Sequence, residues 1–542
     1  MLAAAEQPAG ADSAQTQPDA NGHDSDGLGP DYPLSQVQYK PALSSAWLKH
    51  GHSKAVKDVI HGLMDLGPLT VALMDTPHLQ RLKRLKQLGI TSSVWPCATH
   101  NRFEHSLGTA HLAATHASHL HLVMGSSNDD KVRASDVALV EAAGLCHDLG
   151  HGPFSHCFEK FLKVIGKTDW THEFMSVALL DHLYTSECSE EVQKWLPEHQ
   201  LKKLFDMITA SEEPKNAKGW LYDIVANGRN SLDVDKFDYL PRDSYYTGCS
   251  LSTDFNRVIK ISKVIDDEIC FRWKEYQNVF QVYGDRAKMH QLIYHHSVTG
   301  GAEYMIIDCL AAADRTLKFS EDILDPEQYL MLDDSIESVI RTWGRWHKGH
   351  PSETDPNITE AQKLLRRLDQ RNLYKCCNSV LIPSENLAWY QKPTVKAVLD
   401  CNRTGTSVHE DDVIVDEYSV HMTAGNQNPL DKVSFYDFAF SETKRRVSKD
   451  QVSNLLPVNF QEKHLRLYCK LEQHDPRWGD TVDALHSALE TWTRQNFGNN
   501  FVSATPRPKK TLNNSQRGAS QGETSGSEPA NKRAKRALAK DF

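Results

Sequence analysis

The chain has 542 residues, 39% of them hydrophobic and 24% charged, with a formal net charge of −10 and a mean hydropathy of −0.53, a globular composition long enough for two to four domains of roughly 150 residues. No stretch reaches the roughly 18 uninterrupted apolar residues of a bilayer-spanning helix, and the start MLAAAEQPAG sets no basic flank before a hydrophobic run, so neither membrane insertion nor secretion is expected. Eleven cysteines, none in a Cys-x-x-Cys pair and several (Cys146, Cys309, Cys469) inside apolar runs, read as buried thiols in a reducing compartment, not as a disulfide framework or a thiolate zinc site.

Residues 1–45 are rich in Ala, Gln, Asp, Gly, Ser and Pro without helical or strand period and read as a disordered tail. The first predicted helix begins at Thr76 as cap and Pro77 in the first turn, carries Leu79, Leu82, Leu85 and Leu88, and stops at Gly89. Its other face, Gln80, Arg81, Lys83, Arg84 and Lys86, is polar and basic. A second helix over 135–146 is apolar nearly all round and is expected at the centre of the core. Helical periods follow over 174–184, 287–317 and 361–375. Residues 413–422 are then β-rich, and Leu465, Leu467, Cys469 and Leu471 alternate with Arg466, Tyr468 and Lys470. The expected fold is mainly α, a helical lobe over 46–320 followed by a smaller α+β lobe over 321–503 and a second tail over 504–542. From Thr505 onward nine Lys or Arg face three acids, so that tail is +6 and the chain before it −16.

The densest chemistry lies in His147-Asp148-Leu149-Gly150-His151-Gly152-Pro153-Phe154-Ser155-His156, where four side chains able to bind a metal leave a buried helix and glycines turn the chain. Imidazole nitrogen with carboxylate oxygen suits Fe, Mn, Zn or Mg. Two further segments can complete a site: Asn101 to Gly108, with His105 beside an arginine, and Asp233 to Tyr239, with three acids, a lysine and a tyrosine. Each of these alone reads as a solvated face or a helix end.

His105, His147-Asp148 and Asp235 resemble the H…HD…D signature of the HD-domain metal-dependent phosphohydrolases. NRFEHSLG, AGLCHDLGHGPFSH, WTHE, DVDKFDYL and RDS, with DKVSFYDF and KDQVSNLLP later, resemble more narrowly the SAM-and-HD-domain deoxynucleoside triphosphate triphosphohydrolases of animals, from about Lys54 to Thr505. The resemblance implies an HD catalytic core in the first lobe and a regulatory, oligomer-forming second lobe. It implies one divalent transition metal (Zn, Fe or Mn) on His105, His147, Asp148 and Asp235, with Mg accompanying the nucleotides. His156, as general acid, and His172 match the family's catalytic histidines, and Glu159 stands where the family has aspartate. Arg102, His151, Lys236, Tyr239 and Arg286 match triphosphate contacts, and Gln87, Leu88, Asp243 and Tyr294 the deoxyribose pocket. The implied reaction takes a dNTP and water to a deoxynucleoside and triphosphate.

The resemblance also implies a tetramer assembled by GTP and dNTP activators. Lys54, Asp75, Gln80, Arg371 and Lys375 match the guanine-nucleotide contacts, with Lys83 in place of the family's arginine; Arg371 and Lys375 stand four apart on one expected helix face, and the second nucleotide is expected near Arg257, Arg272, Lys274, His296 and Lys449. Lys83, Lys57, Ala55 and Ser297 depart from the family's residues there, and about 50 polar residues stand in place of a SAM domain. Lys532-Arg533-Ala534-Lys535-Arg536 resembles a nuclear import signal, with cytoplasm as the alternative, and Thr505-Pro506 a proline-directed phosphorylation site. For this family the activity implies control of dNTP pools, antiviral restriction as part of innate immunity, and a role in DNA replication and repair. Two other readings stand beside it. One is an HD phosphodiesterase or nuclease; the other is a nucleic-acid-binding protein, weakly single-strand binding, that uses the basic tail and the basic face of residues 79–86.

Overall fold

In the structure, a computed structural model, residues 54–503 are described apart from 125–131, 187–189, 210–217, 350–353, 424, 448–451, 453–454 and 500. Both expected tails, Lys449, the Thr505 motif and the basic cluster at 532–536 lie outside the described residues. The described chain starts as an antiparallel hairpin of β1 (Lys54–Asp58) and β2 (Gly62–Leu66). Its turn forms because Asp58 Oδ1 accepts from the backbone N–H groups of Ile60 and His61 at 2.8 and 2.9 Å, while Gly62 takes φ +76°, a conformation glycine adopts without steric cost.

Next come α1 (Pro68–Met74) and α2 (Pro77–Arg81). Thr76 and Pro77 start α2 as expected, although the Thr76 hydroxyl donates to Leu73 O and does not cap. The helix is far shorter than the leucine run suggested. It tightens to a 3-10 turn over Leu82–Arg84, and Leu85 is extended. A leucine every third residue is the period of a 3-10 helix, not an α-helix. Residues 85–87 then pair with 100–102, through Arg102 N to Leu85 O and Gln87 N to His100 O at 2.9 and 3.0 Å. The basic face is also corrected. Arg81 is 1% exposed and Arg84 is paired with Asp333, so residues 79–86 present no continuous basic surface.

The helical core follows: α3 (Arg102–Met124), α4 (Ala134–Cys146), α5 (His156–Val164), α6 (His172–Ser186), α7 (Glu190–Trp195), α8 (Glu198–Ile208), α9 (Val234–Thr247) and α10 (Phe255–Lys260). Every residue of α4 from Val137 to Cys146 is buried, as its nearly continuous apolarity predicts. It lies so close to α3 that a Cβ on Gly144 would stand 2.9 Å from Thr109 O. β3 (Ser262–Ile265), β4 (Glu268–Arg272) and a later β7 (Phe435–Tyr436) make a small sheet on its flank.

The period over 287–317 is interrupted. α11 (Tyr276–Met289) gives way to a π-turn at His290–Tyr294 before α12 (Ser297–Leu317) begins, and such bulges recur at functional sites. α13 (Pro326–Tyr329), α14 (Ile336–Trp346) and α15 (Pro356–Asp369) lead to β5 (Lys375–Leu381). Arg371 takes φ +59° and Lys375 already belongs to β5. The expected shared helix face for Arg371 and Lys375 is therefore absent, because α15 ends before either residue.

α16 (Val395–Leu399), β6 (Val413–His421), β8 (Gln461–Cys469), α17 (Trp478–Phe497) and β9 (Val502–Ser503) complete the chain. The sheet order is β6-β8-β5-β9, with β6 and β8 antiparallel from Val413↔Cys469 to His421↔Gln461. Leu465, Leu467 and Cys469 pack with Leu485, Leu489 and Trp492 of α17 in a second hydrophobic core. The alternate residues do not face water. Tyr468 hydroxyl donates to Ser297 O at 3.0 Å and Arg466 Nη1 to His295 O at 2.6 Å, so polar tips anchor the sheet to the helical core. Among the described residues no helix is long and apolar enough to cross a membrane.

Candidate active site

The core exists where α3, α4 and α9 meet, and each supplies its ligands for a local reason. α3 is capped by Asn101, whose Oδ1 accepts Glu104 N at 3.1 Å, which puts His105 one turn inside. α4 ends at Cys146, so His147 and Asp148 are the first side chains to leave its buried length. α9 is capped by Asp233, which accepts Lys236 N at 3.2 Å, with Asp235 in the first turn.

His105 Nε2 stands 3.2 Å from His147 Nε2 and 3.1 Å from Asp235 Oδ1, and His147 Nε2 is 3.3 Å from Asp235 Oδ1. Asp148 lies alongside, with Oδ1 3.4 Å from His147 Nε2 and Oδ2 3.6 Å from His105 Nε2, Oδ2 being also paired with Arg102. Bonds of about 2.1 Å to one ion would set neighbouring ligand atoms roughly 3.0–3.4 Å apart. The donor chemistry fits as well as the spacing. His105 Nδ1 donates to Asp238 Oδ2 at 2.7 Å and His147 Nδ1 to Gly144 O at 2.8 Å. In the neutral rings both Nε2 atoms are thus lone pairs, turned toward each other and toward two carboxylates. Such a cluster of acceptors suits a cation, and His105, His147 and Asp235 form a group that could hold one.

Without an ion, the same anionic surroundings favour a proton at this place. Burial pushes the His105 imidazole down, but bonds to Asp235 and Asp238 and the charge of Asp148 reverse this and raise it to about 10. Burial also works against ionised Asp148 and Asp235, yet Arg102, His147 and His151 hold Asp148, and His105 and His147 hold Asp235, well below the ordinary carboxylate range.

The turn after Asp148 is held by close packing. A Cβ on Gly150 would lie 2.0 Å from His172 O, and one on Gly152 would lie 2.3 Å from the Phe158 ring. Phe154 and Ser155 take φ +60° and +59°, strain that non-glycine residues carry only where neighbours impose it. Here Asp334 accepts Phe154 N at 2.7 Å. Ser155 Oγ accepts from Arg102 Nε at 2.8 Å and donates to Lys86 O at 2.7 Å. Buried Arg81 donates to Leu149 O and His151 O at 3.1 and 2.8 Å.

That turn, α5 and the start of α6 bring three imidazoles and one carboxylate together. Glu159 Oε1 accepts from His172 Nδ1 at 2.8 Å and from His156 Nδ1 at 3.2 Å, and His151 stacks on His172 with centroids 4.0 Å apart. Burial opposes the Glu159 charge, but the two imidazoles outweigh it and hold the carboxyl far below its usual range. His151 is kept neutral by burial and by Arg102, and its Nδ1 has no partner. His156 is the exposed member, its side chain 66% accessible.

These groups line two adjoining cavities of about 340 and 500 Å³, within the ~300–1,000 Å³ of small-molecule sites. All nine substrate positions expected from the sequence face them: Gln87, Leu88, Arg102, His151, Lys236, Tyr239, Asp243, Arg286 and Tyr294. Asp243 accepts from Tyr294 hydroxyl at 2.6 Å and bonds His100 Nε2 at 2.7 Å. Lys236 Nζ lies 3.0 Å from both oxygens of Asp233, and Arg286 Nη1 donates to His421 O at 2.8 Å.

The expected activator positions are spread over the surface. Lys54 lies 3.8 Å from Asp75; Lys83 donates to Gln80 Oε1 at 2.6 Å and lies over the Phe103 ring. Arg371 donates to Ser93 O, Arg257 pairs with Glu275, and His296 meets Trp95 edge to face. Arg272 ends β4, and Lys274 follows it in a 3-10 turn.

Sequence reasoning missed the groups behind the ligands. Asp238, though noticed as one acid of its run, was given no role; it is wholly buried and accepts from His105, His61 and Arg242. The only sequence signal is its spacing from Asp235, three residues on and so on the same side of a helix.

The HD domain model matches residues 102–238. The chain is 35% identical over 422 residues to "Deoxynucleoside triphosphate triphosphohydrolase SAMHD1 homolog" of Dictyostelium discoideum, covering 78% of each chain. It is 34% identical to the Homo sapiens "Deoxynucleoside triphosphate triphosphohydrolase SAMHD1", over 77% of this chain and 70% of that one. It is also 28% identical to "Putative HD domain-containing protein L394" of Acanthamoeba polyphaga mimivirus, over 77% and 93%.

Proposed function

The chain belongs to the SAMHD1-like, HD-domain deoxynucleoside triphosphate triphosphohydrolases, and from that premise we propose that it cleaves dNTPs to deoxynucleoside and inorganic triphosphate at the site described above. The observation that carries the reading is the meeting of His105, His147 and Asp235 within 3.3 Å of one another, beside a cavity lined with cationic and imidazole groups. His105, His147, Asp148 and Asp235 would hold the divalent ion, of which Zn, Fe and Mn all suit the ligands. When bound, it supplies an acidified water and a polarised phosphoryl oxygen.

The chain's own residues do the rest. Arg102, Lys236, Arg286 and neutral His151 bind and orient the polyphosphate, with the arginine forks matching its oxygens. Asp243 and Gln87 hydrogen-bond the 3′-hydroxyl, while Leu88 and Tyr294 fill the space a 2′-hydroxyl needs. His156 delivers the proton to the leaving 5′ oxygen. Because its Nδ1 is bonded to Glu159, Nε2 is the atom that holds the transferable proton. Glu159 fixes His156 and His172 together, so its longer reach serves two rings.

GTP and dNTP activation, tetramer formation, Mg accompanying the nucleotides, nuclear import through Lys532 to Arg536, antiviral restriction and a part in DNA replication and repair belong to the same reading. Their support is the family relationship and the match of Lys54, Asp75, Gln80, Arg371 and Lys375 to activator contacts. The two-lobe division at 320/321, with regulation and assembly in the second lobe, rests on the same ground. The test is incubation of the metal-loaded protein with dGTP or GTP under activating conditions, followed by chromatography. Deoxyguanosine with intact triphosphate from dGTP, and almost no guanosine from GTP, is the expected result. Release of pyrophosphate or single phosphates would overturn it.

A further inference from the structure

His61 and Asp58 sit at the turn of the β1–β2 hairpin, 177 residues from the acid that His61 touches. His61 Nε2 lies 2.6 Å from Asp238 Oδ1, while Asp238 Oδ2 receives His105 Nδ1 at 2.7 Å. Arg242 completes the group, with Nε and Nη2 each 2.9 Å from Asp238 and Nη1 2.9 Å from Asp58 Oδ2. Asp238 and Arg242 are both wholly buried. Two donors thus reach each Asp238 oxygen, which uses its lone pairs fully and leaves the carboxylate no freedom to rotate away from His105. Gly108, one turn beyond His105 on α3, leaves the room for this arrangement, since its Cβ would stand 1.8 Å from Asp238 Oδ1.

A two-stranded hairpin has little stability of its own. This one exposes most of β1; Met64 and Leu66 of β2 are buried in the main core, and the Asp58 and His61 contacts fasten the turn to Asp238 and Arg242. The same hairpin begins at Lys54, so the path from an exposed strand to the His105 ring is two hydrogen bonds, His61 to Asp238 and Asp238 to His105. Outer partners of metal-bound histidines fix the tautomer and the ring orientation, and their loss weakens metal affinity about 10–100-fold.

We propose that His61 is a positioning residue for the metal centre: through Asp238 it fixes the orientation and tautomer of His105, so that docking of the hairpin and retention of the ion are linked. The inference rests on the reading of His105, His147, Asp148 and Asp235 as the ligand set, and the experiment separates the two. Full-length protein stripped of metal is titrated with Co²⁺ alone, against a competing chelator, and followed by visible absorption. Melting of the ion-free chains is recorded in parallel.

His61→Phe, which keeps the ring and loses the donor, is expected to weaken Co²⁺ binding about 10–100-fold. His61→Gln, whose amide can donate to Asp238, should recover most of that loss, and Asp235→Asn should lose the site altogether. If His61→Phe does not fold, His61→Asn takes its place: it is too short to reach Asp238 and so should show the same weakening. Co²⁺ affinity within twofold of the parent for the donor-free variant, with Asp235→Asn unable to bind, overturns the role of His61 and leaves the ligand set standing. Equal loss in His61→Phe and His61→Gln also overturns it, because the role then does not depend on the donor. Undiminished binding by Asp235→Asn overturns the ligand set itself.

Discussion

Gly108→Ala sets two effects of opposite sign against each other. In a helix interior alanine is favoured over glycine by about 1 kcal/mol, so on propensity alone the substitution stabilises α3. The structure predicts the reverse. The new Cβ would stand 1.8 Å from Asp238 Oδ1, 2.7 Å from Asp238 Cγ and 2.5 Å from Arg242 Nη2, where unstrained contact is about 3.5 Å. The carboxylate must retreat by roughly 1.5 Å, enough to break a hydrogen bond to His105. Overpacking costs ~1–3 kcal/mol, and separating the wholly buried Asp238 and Arg242 costs ~3–5 kcal/mol. Because these share one displacement they are not additive. After subtracting the propensity gain, a net loss of about 2–4 kcal/mol is expected, tolerable in a domain of ~5–15 kcal/mol. Urea unfolding of the ion-free chain reads it, and metal content after purification should fall in parallel. Equal or greater stability with full metal content would show that the glycine is incidental and refute the packing argument.

Glu159→Asp shortens the arm that meets His172 at 2.8 Å and His156 at 3.2 Å, so at least one bond is lost. At about 1.5–3 kcal/mol for a charged hydrogen bond kcat should fall roughly 10–150-fold with KM little changed, and a kcat within twofold of the parent would count against the orienting role. Glu141, buried in α4 with Gly67 N donating to it at 2.8 Å, has its carboxyl pushed up to about 7 by burial. A raised carboxyl favours the fold while it is protonated. That contribution is whole below about pH 4.5 and is lost as the pH rises to about 7, amounting to about 3 kcal/mol at 1.36 kcal/mol per unit. Glu141→Gln, which keeps the acceptor, should therefore gain stability over the parent across that window and hold the gain above it; parallel stability curves from pH 4.5 to 8 would contradict the assignment.

Much of the fold was legible because its signal is one-dimensional. α4 is apolar on nearly all sides and lies buried from Val137 on; β6 and β8 were visible in β-branched and alternating residues, and they pair over nine registers. The errors have a common cause, which is that tertiary partners override local period. The spacing of the leucines at 79, 82, 85 and 88 predicts one α-helix, yet the pairing of residues 85–87 with 100–102 ends it early. The same partners explain why Arg81 is inside: three backbone carbonyls, of Leu332, Leu149 and His151, receive its guanidinium. Those carbonyls lie 68 to 251 residues away in sequence, and no window of sequence contains them.

The site divides along the same line. Ligands are readable because a metal restricts residue type sharply, and His147 and Asp148 are adjacent. What holds the ligands is restricted only in shape and polarity, and many residues could have done it. Asp238 could be predicted as a helical neighbour of Asp235, but not as the acceptor of His105, since that depends on α3 and α9 crossing where Gly108 has no side chain. His61 is still less visible: its neighbours in sequence say only that a turn occurs. Yet the ligand geometry needs these groups. Both His105 and His147 have their outer nitrogen committed, one to Asp238 and one to Gly144 O. If either ring could flip or change tautomer, a proton would face the other Nε2 only 3.2 Å away and occupy the place of the ion. A sequence can therefore name the atoms that touch a metal while leaving unnamed those that keep protons out of its position.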